Sequence, residues 1–251
     1  MFFCENVLNR FNAWVNLNFD LSNNKIKEKV VHTNSVLNIT SKIALEANFA
    51  SEDLFIAQVI AILHDCGRFP QIQKFNTFKD TAEFNHAFEG AKLLKNGLLK
   101  EMLPEARKYD EIIINAVELH SSLVLPVLDS KTKMHCDLIR DADRTDLYNM
   151  CITHFDILFW NDIGKPNITP TVKELFDNRQ PIPFKEIKSQ LDSLALRLGL
   201  INQYVFKPAL DFLKHEDYVN RLVDLFLEKR PYYNKNDVEH IRSQALIFLE
   251  Q

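Results

Sequence analysis

Apolar residues recur three and four positions apart over most of the chain, the spacing that lines one face of an α-helix, and long stretches pass without a turn residue. A first helix is predicted over about 7–17. Ser22 or Asn23 then caps a second, which carries Val30, Val31, Val36, Leu37, Ile39, Ile43, Ala44 and Leu45, with His32 near its middle. Ser51-Glu52-Asp53 reads as a helix start with early acids; the apolar run from Leu54 to Leu63 follows, and Gly67 reads as a stop, so the third helix should end at His64-Asp65. Residues 68–83 are polar with Phe69, Phe75 and Phe78 interleaved, and are expected as a structured loop rather than a linker. Asn85 should cap a short helix through Leu94, stopped by Asn96-Gly97. Further helices are expected over about 104–120, where Ile112, Ile113, Ala116, Val117 and Leu119 form a stripe, and over about 132–160 after a break at Pro126. Four prolines between 164 and 183 mark an excursion, and three amphipathic helices should close the chain, broken near Gly199, Pro208 and Pro231.

Five glycines in 251 residues leave too few turns for a sheet of this size, so the fold class is all-α, and 46% hydrophobic residues suffice for a continuous core. The length fits a single domain over 1–251, divided into a core at 25–160, the proline-rich excursion at 161–183 and a helical extension at 184–251. Thirty basic against thirty-four acidic side chains give a net charge of −4, which provides no footprint for extended nucleic acid or an anionic membrane. Cys4, Cys66, Cys136 and Cys151 lack CxxC spacing and read as buried thiols of a reducing compartment. Met1-Phe2-Phe3 is apolar, but Glu5 and Arg10 follow and no signal-length apolar core appears, so the expected location is cytoplasmic without membrane attachment.

The chemistry lies in an ordered set: His32, then the pair His64-Asp65 at a helix end, then His86, His120 and the acid cluster Arg140-Asp141-Ala142-Asp143-Arg144. Imidazoles with carboxylates suit Mn²⁺, Fe, Ni²⁺, Co²⁺ or Zn²⁺; Mg²⁺ is a further candidate. Four histidines and two aspartates exceed one tetrahedral shell. They divide into His32, His64 and Asp143 on one ion, and His86 and His120 on a second, with Asp65 bridging. Two ions about 3.5–4 Å apart activate water and stabilise the oxygens around phosphorus, which serves hydrolysis of a phosphate ester.

This order resembles the HD superfamily of metal-dependent phosphohydrolases, whose signature is an early His, a His-Asp pair and a distant Asp, here His32, His64, Asp65 and Asp143. His86 with Gly90 four residues on, and His120 ending a helix, resemble its dinuclear branch, although Ser121 and Ser122 follow where that branch often carries a second His or a Glu. The resemblance covers roughly 25–149 and implies a helical bundle with additional C-terminal helices. It favours Asp143 over Asp141 as ligand, since residues two apart point some 200° around a helix. It implies a phosphomonoester or phosphodiester substrate, a nucleotide or other small phosphorylated molecule, cleaved by metal-activated water. Asp65, Arg68 and Arg144 are the catalytic candidates, and Arg68, Lys74 and Arg144 the substrate-binding ones. Arg68, separated from the pair by Cys66 and Gly67, can hold phosphate by a bidentate contact, whereas Arg144 is open between salt bridge and substrate contact. A homodimer is compatible with these features. Alternatives are a dinuclear iron oxygenase of HD type and a non-catalytic nucleotide sensor. His135, His154, His215 and His240 read as ordinary hydrogen-bonded core or surface residues.

Overall fold

The computed structural model describes residues 2–104, 107–159 and 166–250, and among them every regular element is helical. The predicted helix end at Trp160 and the first part of the proline-rich excursion lie outside the described residues. The chain divides into two compact units, 1–143 and 144–251, and the division falls inside a helix rather than in the proline-rich stretch.

The first unit holds α1 (Phe2–Asn18), α2 (Asn24–Glu46), α3 (Ser51–Leu63), α4 (Arg68–Phe75), α5 (His86–Leu93), α6 (Leu99–Met102), α7 (Asp110–Leu119) and the start of α8 (Ser130–Thr153). Helix α3 is its axis. Ile56, Ala57, Val59, Ile60, Ala61, Ile62 and Leu63 are all buried, so α3 is apolar around nearly its whole circumference, as a helix enclosed on all sides must be. Helices α1, α2 and α7 pack against it. Asn23 caps α2 by accepting from the Lys25 amide, and Asn85 caps α5 by accepting from that of Phe88. Ser51 does not cap α3; Ala50 holds that position without a side-chain bond.

The segment after His64-Asp65 differs from the expected loop: its first eight residues form α4. Phe69 and Ile72 lie three apart and are both buried, and the Phe69 ring sits 5.5–5.9 Å from those of Phe11, Trp14 and Phe19. This aromatic cluster gives a short polar sequence the packing that makes it a helix. Gly67 is therefore not a helix stop but the residue before α4, with right-handed backbone. Its glycine serves close approach: a Cβ there would stand 2.1 Å from the His86 carbonyl oxygen and 2.6 Å from the Gly90 nitrogen. The chain segment leaving α3 and the start of α5 thus touch backbone to backbone.

The second unit contains α9 (Phe155–Leu158), α10 (Pro170–Asp177), α11 (Gln190–Gly199), α12 (Lys207–His215), α13 (Tyr218–Lys229) and α14 (Lys235–Phe248). Pro170 and Pro208 stand in the first turns of α10 and α12, where a missing amide costs nothing; Pro170 starts a helix inside the expected excursion, and the break expected near Pro208 falls just before α12. Four helices follow 184 instead of three, because Asp217, at φ 51°, turns the chain between α12 and α13. Buried Asp192 accepts from the Thr169 amide and hydroxyl and the Lys188 amide at 2.6–2.9 Å, tying α10 and the segment before α11 to α11.

The Gly67 contact predicts that Gly67→Ala loses about 1–3 kcal/mol of stability through overpacking, roughly 2–4 °C in Tm per kcal/mol. Thermal unfolding of the variant checks this; an unchanged Tm would contradict the backbone contact.

Candidate metal centre

Every predicted ligand comes from a different helix or helix end of the first unit, except the adjacent pair His64-Asp65. His32 projects from the middle of α2, His64 is the residue capping the end of α3, Asp65 follows it, His86 opens α5, His120 caps the end of α7 and Asp143 lies in α8. They gather into two groups, His32 with His64 and Asp143, and Asp65 with His86 and His120, each with its ligand atoms within 4.8 Å of one another. Asp65 stands between the groups. Its Oδ2 is 3.5 Å from His32 Nε2 and 3.6 Å from His64 Nε2, whereas its Oδ1 is 3.5 Å from His86 Nε2 and 3.6 Å from His120 Nε2. Asp143 Oδ1 completes the first group at 3.2 Å from His32 Nε2 and 3.8 Å from His64 Nε2. It is the aspartate of the acid cluster that joins the histidines; Asp141 is fully buried and does not belong to either group.

The ring nitrogens on the far side fix the orientation of three of these histidines. His64 Nδ1 donates to the Ala61 carbonyl at 2.8 Å and His120 Nδ1 to that of Val117 at 2.7 Å, each one turn back in its own helix. His86 Nδ1 bonds to the Asp80 carboxylate at 2.7 Å. Burial pushes the His64 and His86 imidazoles down to about 4, so both are neutral near pH 7. With Nδ1 carrying the proton, Nε2 presents a lone pair. Two further imidazole nitrogens stand close to them: His64 Nε2 lies 3.3 Å from His32 Nε2, and His86 Nε2 lies 3.1 Å from His120 Nε2. Burial opposes ionisation of Asp65 and Asp143, but Lys29 and His64 outweigh it at Asp65, and His32 at Asp143, so both stay below the usual carboxylate range. Imidazole nitrogens and carboxylate oxygens converging within 4.8 Å in a buried setting are a group that can hold a cation. Imidazole nitrogen with carboxylate oxygen is the donor set of divalent transition metals, so the residues present fit such ions.

Lys29 was not singled out in the sequence. Its ammonium lies 2.5 Å from Asp65 Oδ2 and 5.4 Å from the centre of the Phe78 ring, with the side chain 10% exposed. The signal was present, since Lys29 is three residues before His32 and therefore on the same face of α2. Asp80 was also missed, and lies in the segment between α4 and α5.

The substrate candidates are placed less favourably. Arg68 borders the centre, its Nε 3.6 Å from Asp65 Oδ1 without a hydrogen-bond partner, but its NH1 is engaged by Gln71 Oε1, the Phe78 carbonyl and Asp80 Oδ1 at 2.5–3.0 Å. That guanidinium fastens the segment after α4 instead of standing free as a fork. Lys74 is not brought to the histidines: it is exposed in the last turn of α4 with its ammonium 4.9 Å from the Phe75 ring centre. Arg144 opens the second unit and gives NH1 to the Gln203 carbonyl at 3.1 Å and NH2 to Gln203 Oε1 at 2.7 Å, so its guanidinium is engaged by a neutral residue rather than by the acid of the expected salt bridge. The remaining histidines have ordinary partners: Asp53 for His135, Thr153 for His154, Glu216 for His215, and Asp177 for His240.

The HD domain family matches residues 30–158, a span that contains all six clustered ligands. The chain belongs to this family, a superfamily of metal-dependent phosphohydrolases whose domains bind divalent metals. No curated protein and no solved structure matches the chain. Among the described residues no helix is long and apolar enough to cross a membrane.

The Lys29–Asp65 contact carries a prediction for the protein stripped of metal. Lys29→Met leaves a buried carboxylate without its ammonium, and removing one partner of such a pair costs about 3–5 kcal/mol. Urea unfolding of the chelator-treated variant should show this loss, and added divalent metal should recover part of it. Equal stability of metal-free wild type and variant would contradict the pairing.

Proposed function

We infer that the chain is a phosphohydrolase with two divalent metal ions, cleaving a phosphomonoester or phosphodiester of a nucleotide or other small phosphorylated molecule. The observation that carries this reading is the division of Asp65, whose two oxygens face two different histidine pairs at 3.5–3.6 Å. A carboxylate so placed could serve two cations, one that His32, His64 and Asp143 would hold and one that His86 and His120 would hold. When bound, the ions supply a water activated for attack and positive charge at the oxygens around phosphorus.

The chain's own residues supply the rest. Asp65 orients both halves of the centre. Asp143, 30% exposed beside five ligands that are each at most 4% exposed, marks the side from which a substrate reaches the metals. Two positive side chains border Asp65: Lys29 at Oδ2 and Arg68, through Nε, at Oδ1. They neutralise charge where a phosphate would stand, and the unpartnered Arg68 Nε–H is a donor for it. Neither Lys74 nor Arg144 is needed for this arrangement.

The test is metal analysis of protein purified without chelator or nickel affinity, followed by a panel of phosphomonoesters and phosphodiesters. Wild type should hold more than one ion per chain, with His86→Ala and His120→Ala each lowering the content toward one. Asp65→Ala should abolish hydrolysis and bound metal while circular dichroism stays helical, and its effect should exceed that of removing a single histidine. A fully active Asp65→Ala protein would sink the assignment, and a saturated wild type with one ion would make the centre mononuclear.

A further inference from the structure

The two histidines that share Asp65 Oδ1 are oriented by different means. His120 sits at the carboxyl end of α7 and gives Nδ1 to a carbonyl of its own helix, so its orientation is set by local backbone. His86 is the first residue of α5, at the amino end of a helix, where the partial positive charge of the backbone disfavours a nearby cation. Its Nδ1 is held by Asp80, six residues upstream and outside any helix. Asp80 is built in from several directions. Its Oδ2 takes His86 Nδ1 at 2.7 Å; its Oδ1 accepts from the His86 amide at 3.2 Å, from Arg68 NH1 at 3.0 Å and from Gln71 Nε2 at 2.8 Å. Gln71, 1% exposed, also holds the Lys79 carbonyl at 3.2 Å.

The geometry points to Asp80 as a positioning residue for His86, one that sets the affinity of the Asp65–His86–His120 position for its ion. A carboxylate on the outer nitrogen fixes the proton on Nδ1, aims the Nε2 lone pair at the Asp65 side and makes that nitrogen a stronger donor to metal. It also places a negative charge at the helix end where the backbone is least hospitable to a cation. Because Asp80 is carried by the segment between α4 and α5, and that segment is fastened by Arg68 and Gln71, this ion's affinity is tied to the segment through a direct hydrogen bond to one of its ligands. The inference rests on the two-ion reading above.

The experiment is a stepwise Co²⁺ titration of metal-free wild type, Asp80→Ala and Asp80→Asn, followed by visible absorption, with His86→Ala marking the bands that belong to the Asp65–His86–His120 position. Asp80→Ala should weaken that position about 10–100-fold and alter its bands, while the other position keeps its affinity and spectrum. Asp80→Asn retains an acceptor oxygen for Nδ1–H without the charge, so it should fall between wild type and Asp80→Ala; it decides the matter where Asp80→Ala does not fold. Wild-type affinity and bands in both variants overturn the inference and leave the two-ion reading standing. Equal weakening of both positions in a helical Asp80→Asn protein assigns Asp80 to the frame of the whole centre and overturns the positioning role. A wild type that takes up one Co²⁺ at saturation overturns the two-ion reading and this inference with it.

Discussion

A carboxylate buried at the end of an apolar helix is the constraint around which the first unit is built. Asp65 is 4% exposed and follows α3, whose last residues are wholly enclosed. An isolated carboxylate in such a place would be neutralised or expelled, because desolvating the charge costs more than local packing returns. Lys29 and, at the rim, Arg68 hold it ionised, and histidines stand at both of its oxygens, where a cation could join them. Those partners come from α2, α4, α5 and α7, so the need to compensate one charge gathers most of the unit's helices at one point.

The same point imposes a steric condition. For His86 to reach Asp65 Oδ1, α5 must start against the turn that follows α3, and Gly67 and Gly90 permit this by bringing backbone onto backbone. Cys66 fits into that contact, its thiol directed at the Gly90 carbonyl at 3.6 Å, and burial with Asp65 beside it raises the thiol well above its ordinary value. It is held as an unreactive packing residue. The aromatic cluster of Phe11, Trp14, Phe19 and Phe69 closes the other side of the turn and holds α4 in place, so that Arg68 returns toward Asp65.

The parts of this arrangement that were legible in the sequence are those carried by local pattern. Helical periodicity and a scarcity of glycine are properties of short windows, and they led to an all-α fold; the His-Asp pair stood out because it interrupts an apolar run. What was not legible depends on distant packing. The sequence from Arg68 to Phe75 is too polar and short to declare a helix until the rings of α1 are beside it. Gly67 looks like a terminator because nothing local distinguishes a glycine needed for φ from one needed for room. Arg68 and Arg144 were read by nearness to ligands along the chain, but a guanidinium reaches several residues away, and the acceptors that claim them, Asp80 and Gln203, are 12 and 59 positions distant. Lys29 was within reach of pattern alone, as the residue one turn before His32.

The two helix ends at the centre repeat one local solution. His64 and His120 both occupy the position that closes a helix, and both turn Nδ1 back to the carbonyl three residues earlier. That bond satisfies one of the carbonyls a helix leaves unpaired at its end, and it fixes the tautomer that presents Nε2 outward. Both helices also direct their negative ends toward the cluster, adding to the attraction for a cation without a further titratable group. Arg140 secures the second of these ends, donating from NH1 to the carbonyls of Leu119, His120 and Ser122. Ser121 and Ser122 thus belong to a backbone turn held from α8, so the residues after His120 serve to fix the end of α7 in place. A helix terminus closed by its own ligand, with its carbonyls tied to the helix that carries Asp143, links the two halves of the centre through backbone as well as through Asp65.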